Sequence, residues 1–341
     1  MTASIPPVTT HPPAADTLAW VAEALGIRAT LRAEALSGGS ASDVWRLQWS
    51  SDDDGGTAVL KQATVDTPDP DSGLIAREFQ VLDALRPLGL PVPVPLACDP
   101  VGARCGRPAL LMSLLPGQLL QGPAALRRAI APMADALAGF QHRCNGLVAG
   151  RRYRPWHDPR GAAPSWSSRE ALWLRAQRVA TRFPAPLPNS FVHRDPHPAN
   201  LLFVYNASAG ASSGAGAGDS TETCGGAGAN GDDRLTVSGI LDWPHAGRGP
   251  SGIDGSRMAL NLACLLDLDA ALEFRARFED TRGLRQDPLL DVLATLEFGP
   301  DAGGAATWAA LGVTLTRDQI RERIERFLED AMLRMTTRRV T

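Results

Sequence analysis

Lysine is all but missing from this 341-residue chain: of its 34 basic residues, 33 are arginine and only Lys61 is lysine. Cysteine is sparse, odd in number and scattered (Cys98, Cys105, Cys144, Cys224, Cys264). With no CxxC pair, neither a disulfide framework nor a cysteine zinc site is expected, and a reducing cytoplasm fits best. No apolar run approaches the roughly 18 residues that a membrane helix needs; the richest stretch, Met258 to Leu268, is broken by Asn261 and Asp267. The first basic residue is Arg28, and Met1 to Asp16 is a Pro/Thr/Ala tail without an apolar core, so the chain reads as having a disordered tail over 1–16 and no secretory signal. The net charge of -3 removes the electrostatic case for nucleic acid or an anionic membrane as partner. What is present, 44% hydrophobic and 21% charged residues, describes an ordinary globular protein long enough for about two domains.

A sequence that replaces lysine by arginine everywhere but at one position marks that position as one where a planar guanidinium does not serve. Lys61 ends the apolar stretch Ala58-Val59-Leu60, which reads as a buried strand, and an unpaired ammonium there would be costly, so Lys61 requires a partner. Upstream, Thr17 to Leu25 has helical spacing. A Gly/Ser turn (Ser37, Gly38, Gly39, Ser40) precedes a stretch in which Trp45, Leu47 and Trp49 alternate with Val44, Arg46 and Gln48. Asp52 to Gly56 reads as a turn and Ala58 to Gln62 as the next strand. Ser72 opens a helix with Ile75, Phe79, Leu82 and Leu85 on one face, closed by Pro87, and Glu78 lies on it. Ala109 to Leu115 is a last strand ending at Pro116-Gly117.

Beyond that point the pattern is helical. Leu126, Ile130, Met133, Leu137 and Phe140 form one stripe. Ser167-Ser168-Arg169-Glu170 and Thr316-Arg317-Asp318-Gln319 have the form of capping boxes, the second opening a helix with Ile320, Ile324, Phe327 and Ala331 on its face. Asn206 to Asp233 is low in complexity and in large apolar residues, and is expected to be a loop without a core of its own.

The densest set of chemically capable residues is His193-Arg194-Asp195-Pro196-His197-Pro198-Ala199-Asn200, followed after the low-complexity insert by Ile240-Leu241-Asp242-Trp243. Apolar segments on both sides of the insert form a hairpin that would bring Asn200 and Asp242 together. Their hard oxygens suit Mg²⁺, which takes few protein ligands plus phosphate oxygens, and Asp195 stays free to accept a proton. A His-x-Asp-x-His zinc site at 193–197 is the alternative, with His193 as a loop brace the favoured one; His197 and His245 flank the site as supports.

His193-Arg194-Asp195 with Asn200, then Ile240-Leu241-Asp242-Trp243, resembles the catalytic loop and metal motif of the aminoglycoside phosphotransferase family, within the protein-kinase-like fold. The order of Gly-rich turn, Lys61 strand, Glu78 helix, hinge, loop and metal aspartate extends the resemblance over nearly the whole chain. It implies an α+β, bilobal kinase-like fold: a nucleotide-binding N-lobe over 17–115 with a small antiparallel sheet and one main helix, and a mainly helical C-lobe over 118–341 carrying the insert 206–233. It further implies ATP and Mg²⁺ as cofactors, with Lys61 paired to Glu78 on the α/β-phosphates. Ser37, Gly38, Gly39 and Ser40 would lie at the phosphates, and Met112, Ser113 and Leu114 at the adenine. Asp195 would act as base, Asn200 and Asp242 as metal ligands, and Asp254 would brace the loop.

Two departures stand out: Arg194 where the family usually has Gly, and the long insert. The implied activity is phosphoryl transfer to a hydroxyl of a small-molecule acceptor, with a nucleotide-binding pseudokinase and a protein kinase as alternatives. The last is disfavoured because Asp254 follows Asp242 by only 12 residues. Nine arginines between Arg143 and Arg182 (143, 151, 152, 154, 160, 169, 175, 178, 182) are either solvated faces or a cleft lining that would repel a polycation such as an aminoglycoside.

Overall fold

The computed structural model describes residues 12–36, 42–50, 55–64, 73–181, 187–206, 234–298 and 308–337. Its N-terminal part is an antiparallel sheet of β1 (Arg32–Ala35), β2 (Ser42–Ser50), β3 (Gly55–Ala63), β4 (Pro95–Asp99) and β5 (Ala109–Ser113), in the order β1-β2-β3-β5-β4. The period of two sorts its side chains. Trp45, Leu47, Ala58, Leu60, Ala109 and Leu111 meet Trp20 and Val21 of α1 (Ala15–Leu25) on one face. Val59, Leu110 and Met112 join Ile75, Val81, Leu82 and Leu85 of α2 (Leu74–Leu85) in the main core. Lys61 lies two residues after Val59, in register with Val44 and Leu110, and so falls on the α2 face.

Three details differ from the sequence reading. Helix α1 begins at Ala15, inside the stretch read as tail. Gly55 and Gly56, read as turn, belong to β3, where a Cβ on Gly56 would lie 2.3 Å from the Trp49 ring that covers it. The sheet is also widened by two edge strands, β1 and β4, outside that reading.

The rest is mainly helical: α3 (Pro123–Arg128), α4 (Ile130–Arg143), α5 (Glu170–Ala180), α6 (Ile253–Leu265), α7 (Leu268–Arg282), α8 (Pro288–Phe298) and α9 (Arg317–Thr337). The stripe Leu126 to Phe140 is buried throughout but is divided between α3 and α4 at Ala129. The box before α9 closes as expected: Gln319 N donates to Thr316 Oγ1 (3.2 Å) and Thr316 N to Gln319 Oε1 (2.9 Å). The box before α5 does not. Ser167 Oγ accepts from Arg169 N (2.9 Å) and donates to Glu325, so it ties the chain to α9.

Three short pairings position the site. β7 (Asn189–Val192) and β6 (Arg151–Arg152) flank β10 (Gly247–Pro250), and β8 (Leu201–Asn206) pairs with β9 (Arg234–Ile240), Leu201 opposite Ile240. Apart from Asn206, which ends β8, the insert lies outside the described residues. Between the sheet and the helices, Gln118 and Phe203 exchange two backbone hydrogen bonds of 3.0 Å. Gly117 makes this approach possible: its φ is +107°, and a Cβ would sit 2.3 Å from Ser238 Oγ and 2.7 Å from Phe203 O. No helix among the described residues is long and apolar enough to cross a membrane.

Candidate active site

The partner that Lys61 requires turns out to be double. Its Nζ donates to Glu78 Oε2 and to Asp242 Oδ1, both at 2.7 Å. Glu78 is 2% exposed and its other oxygen accepts from Trp243 N at 3.2 Å, so the α2 carboxylate holds both the β3 lysine and the segment after β9. Burial alone would lower the Lys61 pKa, but the Asp242 and Glu78 carboxylates outweigh it and the ammonium is raised above its ordinary value. Burial would likewise raise Asp242, yet the Lys61 charge brings it down to about 2. Asp242 adopts a left-handed φ of +66°, which aspartate is among the few side chains to tolerate.

The hairpin brings Asn200 to Asp242 as the sequence implies: Leu241 N donates to Asn200 O at 2.9 Å, directly before Asp242. Asn200 Nδ2 donates to Asp195 O (3.0 Å), which fixes the amide plane with its nitrogen on the loop and its oxygen uncommitted among the described residues. Two oxygen donors, Asn200 and the already ionised Asp242, beside the Lys61–Glu78 pair, are the chemistry Mg²⁺ takes. Both ring nitrogens of His193 are engaged, Nε2 with Leu241 O (2.8 Å) and Nδ1 as acceptor from Asp195 N (3.3 Å). That leaves no ring nitrogen for zinc. No set of three His, Cys, Asp or Glu among the described residues could hold a metal. Asp254 braces the loop, accepting from His193 N (2.8 Å) and Arg194 N (2.9 Å). Burial lowers His197, and it lowers His245 to about 4, so both rings are neutral at pH 7.

Below the loop lies a pocket of about 140 Å³ with Asp195, His197, Arg257 and Asn261 on its polar side and Leu260, Phe298 and Trp308 among its apolar lining. The Asp195 side chain is 38% exposed. Of the nucleotide-side candidates, Ser37, Gly38, Gly39 and Ser40 lie outside the described residues. Met112 and Ser113 end β5, and the Ser113 amide is occupied by Val94 O at 2.9 Å. Leu114 is therefore the hinge residue whose backbone groups have no partner among the described residues.

Residues 32–211, more than half of the chain, match the sequence model of the phosphotransferase enzyme family. The chain belongs to that family. A homoserine kinase from Sinorhizobium fredii is 32% identical over 131 residues, which cover 36% of this chain and 40% of that protein. A homoserine kinase from Sinorhizobium medicae is 28% identical over 130 residues with the same coverage. The chain thus spans about 40% of the length of the curated relatives it matches. A candidate aminoglycoside phosphotransferase of known structure from Ralstonia eutropha shares the fold, with a TM-score of 0.57 and 18% identity over 93% of this chain and 97% of its own. The α+β, bilobal kinase-like architecture expected from the motifs is the one present.

Within this family the Arg194 departure acquires a physical description. Its φ is +75°, the region glycine occupies without strain. The side chain compensates: its guanidinium lies 4.6 Å from the Trp156 ring centre and 5.3 Å from that of Tyr153, and donates to Arg154 O. Arg257 lies 5.8 Å from the centre of the same Trp156 ring and pairs with Glu297, to which Tyr153 OH also donates. The nine arginines do not line the Asp195 pocket among the described residues. Arg160 pairs with Asp158, Arg169 with Glu329, and Arg151, Arg152, Arg154, Arg175 and Arg178 are exposed. Arg143 donates to Leu88 O, and Arg182 lies outside the described residues.

The pocket's cations are instead Arg257 and, behind it, Arg194. Asp254, Arg257 and Asn261, at i, i+3 and i+7 on an otherwise apolar helix, form a polar stripe that the sequence displays.

Proposed function

We propose that this phosphotransferase moves the γ-phosphoryl group of Mg·ATP to a hydroxyl of a small molecule, and that polycationic aminoglycosides are not its acceptors. The observation that carries the reading is the Lys61–Glu78–Asp242 cluster set against Asn200 and the Asp195 loop. Residues 17–115 form the nucleotide side and 118–341 the acceptor side. Lys61, held by Glu78, neutralises α/β-phosphate charge, and the Leu114 backbone meets the adenine edge. Asn200 and Asp242 hold Mg²⁺, which supplies charge neutralisation at the phosphates when bound.

Asp195 orients the acceptor hydroxyl and takes its proton. The acceptor oxygen bonds to the γ-phosphorus as the bond from phosphorus to the β,γ-bridging oxygen breaks, and ADP departs with that electron pair. The work is positioning and electrostatics, for which these few residues suffice. The homoserine kinase relatives support a small hydroxylated acceptor. Helix α6 beginning at Ile253, eleven residues after Asp242, leaves no peptide-docking segment. The pocket's only carboxylate among the described lining residues is Asp195, which disfavours a polycation. Cys98, Cys105, Cys144 and Cys264 are free thiols, which supports a cytoplasmic setting.

The test is Mg²⁺-dependent ATP consumption, with mass detection of the phosphorylated product, across amino alcohols, hydroxy acids, sugars and aminoglycosides. Turnover abolished in Asp195→Ala supports the reading. ATP binding without turnover on any acceptor would favour the pseudokinase.

A further inference from the structure

The wall of the Asp195 pocket is electrostatically unfinished. Arg257 is 8% exposed and lines the pocket; its Nη2 pairs with Glu297, while its Nε has no acceptor among the described residues. Glu297 is itself shared, since it also accepts from Tyr153 OH and from Trp156 N at 3.2 Å. Behind it the buried Arg194 guanidinium has no carboxylate partner among the described residues: its contacts there are the Tyr153 and Trp156 rings and the Arg154 carbonyl, and its Nε is also without an acceptor. Of the two buried guanidiniums, Arg257 therefore has one carboxylate, which Tyr153 OH and Trp156 N also use, and Arg194 has an ion pair with none among the described residues; Asp254 is taken up by the His193 and Arg194 backbone amides. Asp195 is the only carboxylate among the described lining residues of the pocket, and on the proposed function it is engaged with the acceptor hydroxyl and loses its charge when it takes the proton.

A buried cation left short of counter-charge is costly, and an arginine wall of this kind is suited to a ligand oxyanion. The opposite side, with Leu260, Phe298 and Trp308, is apolar and accepts a short carbon skeleton. The volume, about 140 Å³, is close to that of an engineered cavity that binds benzene, so the part of the ligand it encloses has on the order of six heavy atoms.

We infer that the acceptor carries, besides its hydroxyl, one carboxylate that docks on Arg257. It is a small hydroxy acid or hydroxy amino acid, and not a neutral or cationic alcohol. This rests on the function proposed above and narrows it. In the bound state the carboxylate faces Arg257, the skeleton lies along Trp308 and Phe298, and the hydroxyl meets Asp195. The charge balance of the wall is then kept while Asp195 holds the proton.

The experiment uses matched pairs that differ only in the carboxylate: L-homoserine against 3-amino-1-propanol, L-serine against ethanolamine, and glycerate against ethylene glycol. Each is offered with Mg·ATP to the full chain, and phosphorylated product is quantified by mass spectrometry. In at least one pair the acid should exceed its twin at least tenfold in kcat/KM, mostly through KM. In Arg257→Gln that ratio should fall at least fivefold, with Arg257→Lys intermediate. If neither variant folds, the wild-type ratios decide alone. Twins used equally well, or turnover confined to neutral or cationic alcohols, would overturn this inference and leave the kinase reading standing. No turnover with any alcohol or acid would overturn the kinase reading, and this inference with it.

Discussion

At Lys61 two carboxylates divide one ammonium, whereas below Asp195 Arg257 pairs with Glu297 and the Arg194 guanidinium beside it rests on aromatic rings without an ion pair among the described residues. Lys61, Glu78 and both guanidiniums are buried while the Asp242 carboxylate is partly exposed, and the ion pairs of the two clusters lean to opposite signs. A third cluster shows what a finished one looks like: Arg275 and Arg334 meet Asp291 and Asp330, two against two, with Asp291 fully buried. The contrast teaches that burial and ion pairing alone do not mark a site. On the proposed function, what distinguishes the first two clusters is an imbalance that a mobile ion would complete: Mg²⁺ at Asp242 and an acceptor anion at Arg257. It also separates their chemistry, since one side attracts cations and the other anions within one continuous site.

Removing Asp195 gives the largest effect expected. Asp195→Ala should lower kcat by roughly 10²–10⁴-fold, while calorimetry finds ATP affinity within a few-fold of wild type, because a base acts on the acceptor. Parallel loss of ATP binding would dissolve the separation between the two clusters.

Next come changes on the nucleotide side. Asp242→Ala should weaken Mg·ATP binding at least tenfold and abolish its Mg²⁺ dependence. Lys61→Arg should cut turnover at least tenfold, since a planar fork replaces a point charge between two carboxylates and phosphate. Wild-type turnover in Lys61→Arg would make the lone lysine an accident of composition.

Arg194→Gly sharpens the comparison from the other side. Glycine relieves a left-handed backbone worth about 1–2 kcal/mol but forfeits ring stacking of similar size, so the melting temperature should move by only a few degrees. The acceptor KM should rise severalfold because the Tyr153–Trp156 segment loses its clamp. An unchanged KM would show that Arg194 serves the fold alone.

The smallest effect concerns acid. With His245 at about 4 when folded, the unfolded chain binds the proton first as pH falls. The stability carried by the neutral ring is complete above about pH 6.5 and is lost between there and about pH 4, by at most roughly 3 kcal/mol. The urea midpoint of wild type should therefore drop more from pH 7 to 4.5 than that of His245→Gln; equal declines would contradict it.

Strands β2, β3 and β5 and helix α2 could be read from sequence because each buries one face and the period shows it. The edge strand β1 could not, since three of its four residues are exposed and only Ala33 is partly buried. Strand β4 begins at Pro95 and bulges, which breaks the alternation. The Asp195 loop is contiguous and carries its own signature. The acceptor wall does not: Tyr153, Trp156, Arg194, Arg257 and Glu297 come from four separate segments, and only their packing makes one charge count of them. The Arg143–Arg182 run was the conspicuous basic feature in one dimension, and none of its described members lines the Asp195 pocket.

The solitary lysine also makes the molecule its own chemical reporter. A reagent that acylates side-chain amines can modify one residue in this chain, and that residue sits between Glu78 and Asp242. Its protonation, held high by both carboxylates, should make the free protein slow to react. Glu78→Gln or Asp242→Asn should free the amine and speed the modification. The mass increment on the peptide that carries Lys61, timed with and without nucleotide and separated from any label on the α-amine, would then read out occupancy of the cleft without any knowledge of the acceptor.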